Sequence, residues 1–144
     1  MNKFIPVSRP NINKADQDYV NKYSLKKIKI ANSNLVTQFE KKISILCNRK
    51  YAIAVNSGTT ALHAALASLN LKKGSKVLIP DFSIISVLNA VLNNNLIPVF
   101  AEVDINTFNI EYESIKKKLT NHNIKAAIIV STYNSAPEFD KIIK

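Results

Sequence analysis

YAIAVNSGTTALHAALASLNLKK, residues 51–73, decides how this chain is read. Tyr51 to Val55 is apolar and ends on a β-branched residue, which predicts a short buried strand. Asn56-Ser57-Gly58 forms a tight turn, and Thr59 to Leu69 has a helical pattern. Leu62, Ala65, Leu66 and Leu69 share one face at three- and four-residue spacing. Ala61, Ala64 and Ala67 keep the other faces slim, as a helix lying close against a sheet requires. A helix that starts straight after a glycine-containing turn has backbone N–H groups with no intrahelical acceptor. Together with the positive helix end, these favour an anion such as phosphate. Thr59 and Thr60 add hydroxyls there, yet the same residues also read as an ordinary N-cap at Ser57 or Thr59. The turn lacks the glycine pattern of a dinucleotide or nucleoside-triphosphate loop, so taken alone it leaves both readings open.

C-terminal to this unit, Lys73-Gly74-Ser75 introduces a second strand at Lys76 to Pro80. Asp81-Phe82-Ser83 leads into a helix from Ile84 to Leu92, ended by Asn93 to Asn95, and Ile97 to Phe100 is a third strand. A loop from Asp104 to Phe108 precedes a helix from Glu111 to Leu119. Lys125 to Val130 is a fourth strand, whose continuous apolar run predicts burial on both faces. Tyr133 to Ala136 is a loop, and Pro137 opens a last helix. N-terminal to the central unit, residues 1–34 comprise an extended arm (Lys3 to Pro10), a helix (Lys14 to Tyr23, with Ala15, Tyr19, Val20 and Tyr23 as its apolar side) and a basic, polar connector. A helix from Leu35 to Leu46 places Val36, Phe39, Ile43 and Leu46 on one stripe.

Strands alternating with helices predict parallel βαβ units, hence a three-layer α/β fold with a mostly parallel sheet over residues 35–144. Such sheets bind ligands outside the carboxyl ends of their strands. The loops Asn56 to Thr60, Asp81 to Ser83 and Ser131 to Ser135 converge on that edge, with Asp104 near a further strand end.

A chain of 144 residues with ordinary apolar content supports one domain. The formal charge of +10 comes from lysines scattered from end to end, with only two arginines, Arg9 and Arg49. A nucleic-acid surface leans on arginine and interleaved aromatics, so nucleic acid is not the expected partner. No apolar h-region follows Met1, and no run approaches the eighteen residues of a membrane span; a cytoplasmic protein is expected. Cys47 alone excludes an internal disulfide and a cysteine-rich zinc cage, and reads as a small buried hydrophobe at a helix end. His63 reads as a structural helix residue and His122 as a surface one. No histidine–acid set has metal-ligand spacing. Asp81 and Asp104 read as caps of a helix or turn, since a carboxylate beside a phosphate would be repelled.

The order of these pieces resembles the N-terminal part of the DegT/DnrJ/EryC1/StrS family of pyridoxal-phosphate-dependent sugar aminotransferases, of the aspartate-aminotransferase fold type. The matching stretches are IPVSRPNI (5–12), VTQFEKK (36–42), YAIAVNSGTTALHAAL (51–66), GSKVLIPDFSIISVLNAVL (74–92), PVFAEVDINTFNI (98–110) and IKAAIIVSTYNSAPEFDKI (124–142). The resemblance implies the N-terminal portion of that fold's large domain and pyridoxal 5′-phosphate as cofactor. Its phosphate would fall on Ser57, Gly58, Thr59 and Thr60. In intact relatives the substrates are a nucleotide-linked keto sugar and glutamate. The Schiff-base lysine and its supporting acid fall beyond residue 144 in the family pattern. The resemblance therefore implies a truncated homologue with no catalytic residue of its own, inactive alone, that associates as a homodimer or with a missing C-terminal half. The alternatives are half of a split enzyme and a binding module for a phosphorylated small molecule. Ile84 stands where the family has a ring-stacking aromatic, Asn89 matches a family asparagine that bonds backbone near the site, and Tyr133 matches a crevice tyrosine or packs over the sheet.

Overall fold

A computed structural model describes residues 4–6, 8–22, 34–133 and 135–142. The expected connector, apart from Asn34, lies outside the described residues, as do Lys3, Val7 and Tyr23. The chain forms two compact units, Met1–Ala54 and Val55–Lys144.

In the first unit, helix α1 spans Lys14–Lys22 and α2 spans Asn34–Leu46. A reciprocal pair of hydrogen bonds starts α1: Asn13 N donates to Asp16 Oδ2 at 2.9 Å, and Asp16 N to Asn13 Oδ1 at 3.1 Å. Neither helix fully buries a residue: the apolar side of α1 is exposed, and on the α2 stripe Val36, Phe39 and Leu46 are exposed while Ile43 is half-buried. Cys47 is exposed rather than buried, because it follows the last turn of a helix that fully buries no residue.

The second unit runs α3 (Gly58–Ser68), β1 (Lys76–Pro80), α4 (Ile85–Asn93), β2 (Ile97–Ala101), α5 (Tyr112–Asn121), β3 (Ile124–Ala127) and α6 (Phe139–Ile142). The strands pair parallel in the order β2-β1-β3. Lys76 faces Ile97 and Pro80 faces Ala101 across one ladder, while the β1–β3 ladder shifts register between Lys76 and Val77. Alternation along the central strand β1 builds two cores. Val77 and Ile79 pack with Leu66 of α3 and Val87, Ala90 and Val91 of α4 on one face. Leu78 packs with Val99, Ala101, Ile110 and Ile115 of α5 on the other. That is the expected α/β/α layering, and it explains why β1 reads as continuously apolar: both of its faces are covered.

Two strand expectations fail. Tyr51 to Val55 forms no strand, since no ladder partner reaches it among the described residues; Ile53 is 82% exposed. Among the described residues the sheet therefore has three strands, not four. β3 is not buried on both faces, because it is a sheet edge: Lys125 and Ala127 are exposed and Ile128 to Val130 half-buried. The inner stripe of α3 is also rotated from expectation. Thr59, Leu62, His63 and Leu66 face inward, while Ala65 and Leu69 are exposed.

Asparagine ends three helices. Asn48, Asn70 and Asn95 adopt φ of 49°, 48° and 56° immediately beyond α2, α3 and α4, the left-handed stop usually given to glycine. After α4, Asn95 N donates to Leu92 O at 2.9 Å and Leu96 N to Val91 O at 3.1 Å, a complete Schellman motif with Leu96 buried against Val91.

Candidate functional site

Hydrogen bonds and ring contacts draw the loops at the carboxyl ends of the strands together. Thr59 Oγ1 of α3 and Ser86 Oγ of α4 lie 2.8 Å apart, which brings the start of α3 beside the start of the helix that leaves β1. Asp81 N donates to Ala101 O at 2.9 Å, tying the loop after β1 to the end of β2. Asn109, 5% exposed, accepts from Thr132 N at 3.0 Å and donates from Nδ2 to Ser135 Oγ at 3.0 Å, joining the loop after β2 to the one after β3. Phe82, Phe108 and Tyr133 then meet in a row, with ring centroids 5.1 Å and 5.9 Å apart and the second contact edge-on.

At the start of α3 the helix geometry separates two jobs. Ser57 is the N-cap: its Oγ accepts from Thr60 N at 3.2 Å, and Ala61 N closes the first intrahelical bond to Ser57 O at 3.0 Å. Thr60 Oγ1 donates to Asn56 Oδ1 at 2.8 Å and lies 3.0 Å from Ser57 Oγ. The hydroxyls of Ser57 and Thr60 are thus engaged in the cap itself. Gly58 N and Thr59 N have neither an intrahelical acceptor nor the cap, and they point out of the helix end. A Cβ built on Gly58 meets nothing within 4 Å, so the side of Gly58 on which a side chain would stand is open. Two free amides, the Thr59 hydroxyl and the positive helix end form a donor set suited to a phosphoryl group. Pyridoxal 5′-phosphate fits it through its phosphate.

Ile84, 68% exposed, caps α4 in extended backbone with no side-chain hydrogen bond. Tyr133, 78% exposed with φ of 48°, packs edge-on to Phe108. Asn89 is exposed on the outer face of α4 and has no side-chain bond among the described residues, where Asn109 does the bracing. Asp104 caps its own turn, accepting from Asn106 N at 3.0 Å and Thr107 N at 2.8 Å. Hydrogen bonds from Thr107 foremost, then from Asn106, hold its carboxyl below the ordinary 3.8. His63 is half-buried, with Asn94 Nδ2 donating to its carbonyl at 3.2 Å. His122, also half-buried, ends α5 with its Nδ1 3.5 Å from Lys76 Nζ, and so is not a plain surface residue. A cavity of about 520 Å³ lined by Asp104, Glu111, Glu113, Glu138 and Lys141 among others is rich in carboxylates, which repel phosphate. Among the described residues no three His, Cys, Asp or Glu side chains are grouped to hold a metal, and no helix is long and apolar enough to cross a membrane.

Sequence reasoning did not single out Ser86, Asn109, Phe82 or Phe108. For Ser86 a signal existed: it is a polar residue on the inward stripe of α4, which it shares with Val87, Ala90 and Val91.

Comparison with known proteins gives consistent matches. The sequence model of the DegT/DnrJ/EryC1/StrS aminotransferase family matches residues 10–144. The GDP-perosamine synthase of Escherichia coli O157:H7 is 30% identical over 142 residues, covering 99% of this chain and 39% of that protein. Among solved structures, an aminotransferase from Psychrobacter cryohalolentis superposes with a TM-score of 0.85 at 31% identity, over 96% of this chain and 35% of the other. A GDP-4-keto-6-deoxymannose-3-dehydratase holding a PLP–glutamate geminal diamine superposes with a TM-score of 0.86 at 27% identity, over 95% of this chain and 36% of the other. The chain thus spans well under half the length of these relatives.

Proposed function

The chain belongs to the DegT/DnrJ/EryC1/StrS aminotransferase family, and from that premise we propose that these 144 residues are the phosphate-anchoring part of a pyridoxal-phosphate-dependent sugar aminotransferase. Its substrates are a nucleotide-linked keto sugar and glutamate. The observation that carries this reading is the pair of amides at Gly58 and Thr59 that the Ser57 cap, spent on Thr60 N, leaves without an acceptor among the described residues. Gly58 N, Thr59 N and the Thr59 hydroxyl donate to the phosphate, while Ser57 and Thr60 hold the helix start in the geometry that aims those amides. When bound, the cofactor supplies an electron sink at the substrate carbon. The lysine and the acid that serve that chemistry occupy family positions outside residues 1–144, so these residues alone bind without turnover. A segment carrying that lysine and acid, in the same polypeptide or in a complementary one, completes the site. The single exposed thiol of Cys47 suits a cytoplasmic, reducing setting.

A second reading, a binding module for a phosphorylated small molecule, draws on the same donor set, which recognises phosphate and asks nothing of the rest of the ligand.

Titrating the chain with pyridoxamine 5′-phosphate, which cannot form imines with surface lysines, tests the reading against pyridoxamine as the phosphate-free reference. Binding of the ester at least about tenfold tighter is expected from two amide bonds to a charged group. Gly58→Ala clashes with no chain atom, so it keeps the melting temperature yet weakens the ester. Equal affinity for the two ligands would contradict the proposal.

A further inference from the structure

We infer that Ser86 is a positioning residue for the phosphate site, setting the direction in which the Thr59 hydroxyl donates. The inference rests on the reading of α3 given above and adds a residue from a different element. The two oxygens are 2.8 Å apart and half-buried, 27 positions apart in sequence. At that distance one hydroxyl proton lies between them and the other points elsewhere. With Ser86 as donor, the Thr59 proton is left for an acceptor beyond the helix start, and each bond polarises the next. The distance allows either hydroxyl to donate, and a phosphate beyond the helix start selects Ser86 as donor because it takes the Thr59 proton. Threonine in a helix divides between two χ1 rotamers because its hydroxyl can turn back to a preceding carbonyl. The bond to Ser86 selects the rotamer that faces α4.

The arrangement also joins two helix starts. Ile84 caps α4 without a side-chain bond, so the first amides of α4 are free of a side-chain cap beside those of α3. Ser86 is the second residue of α4, and its hydroxyl fixes the spacing between the two positive ends.

The full chain, its Ser86→Ala and Ser86→Thr variants, Thr59→Val and the Thr59→Val/Ser86→Ala double variant are titrated with pyridoxamine 5′-phosphate and with pyridoxamine. Ser86→Ala weakens the ester about fivefold, the scale of one hydrogen bond, and leaves pyridoxamine unchanged. Ser86→Thr, which keeps the donor, stays within about twofold of the unsubstituted chain. Adding Ser86→Ala to Thr59→Val costs nothing more, because Ser86 acts through Thr59. If Ser86→Ala lowers the melting temperature, Ser86→Cys, similar in shape but a weak donor, must show the same phosphate-specific loss. Unchanged ester affinity in Ser86→Ala overturns the inference while leaving the phosphate site standing. If the unsubstituted chain does not distinguish ester from pyridoxamine, the phosphate reading fails and this inference fails with it.

Discussion

Asparagine is the residue whose placement most distinguishes this chain. With only Gly58 and Gly74 available, the left-handed stops after α2, α3 and α4 fall to Asn48, Asn70 and Asn95, whose short polar side chains tolerate positive φ. Asn95→Ala forces a Cβ-bearing residue with no such tolerance into φ of 56° and is expected to cost about 1 kcal/mol. Asn95→Gly is expected to be neutral or better, and urea unfolding separates the two outcomes. Asp104 acts at the same scale. Its folded carboxyl titrates below 3.8, so the stability it adds is complete above the unfolded value and fades as pH falls through the folded one. Asp104→Asn keeps an acceptor for Thr107 N but not the charge. Its stability relative to the unsubstituted chain is therefore lower near pH 6, and the difference narrows only as pH falls below 3.8 and through the folded value; unfolding curves followed from pH 6 down through that range check this.

At the scale of elements, the central strand carries the unit. Leu78 is fully buried between the sheet and α5, so Leu78→Ala is expected to cost about 3 kcal/mol through lost burial and a residual cavity. Ile53→Ala, at a position 82% exposed, is expected to change stability by less than about 0.5 kcal/mol. Chemical denaturation of the two variants checks the contrast. It also marks where the sequence was legible. Helix and strand types from α3 to α5 follow from periodicity, as does the three-layer arrangement, because covered faces write themselves into runs such as Val77-Leu78-Ile79. The segment at Tyr51 to Val55 has the same apolar character and forms no strand. Composition records a preference for burial, but a ladder needs a neighbour, and periodicity cannot name one. For the same reason Lys125 to Val130 reads as buried on both faces, while its strand stands at an edge. The loops around the candidate site were legible as places and not as contacts: Asn109 bridging to Thr132 and Ser135 depends on a meeting of distant loops that local pattern does not encode.

Taken as a whole molecule, the chain belongs to the DegT/DnrJ/EryC1/StrS aminotransferase family and spans 39% of the length of the GDP-perosamine synthase it matches. The account turns on what the Gly58 and Thr59 amides do at the start of α3, since the same turn serves equally well as a plain cap at Ser57. Amide NMR of the chain during addition of pyridoxamine 5′-phosphate asks that question directly. The Gly58 and Thr59 resonances are predicted to shift downfield, saturably and more than any others, with no such response to pyridoxamine. Shifts of those two amides that match the phosphate-free ligand's, or a response centred elsewhere in the chain, would contradict it.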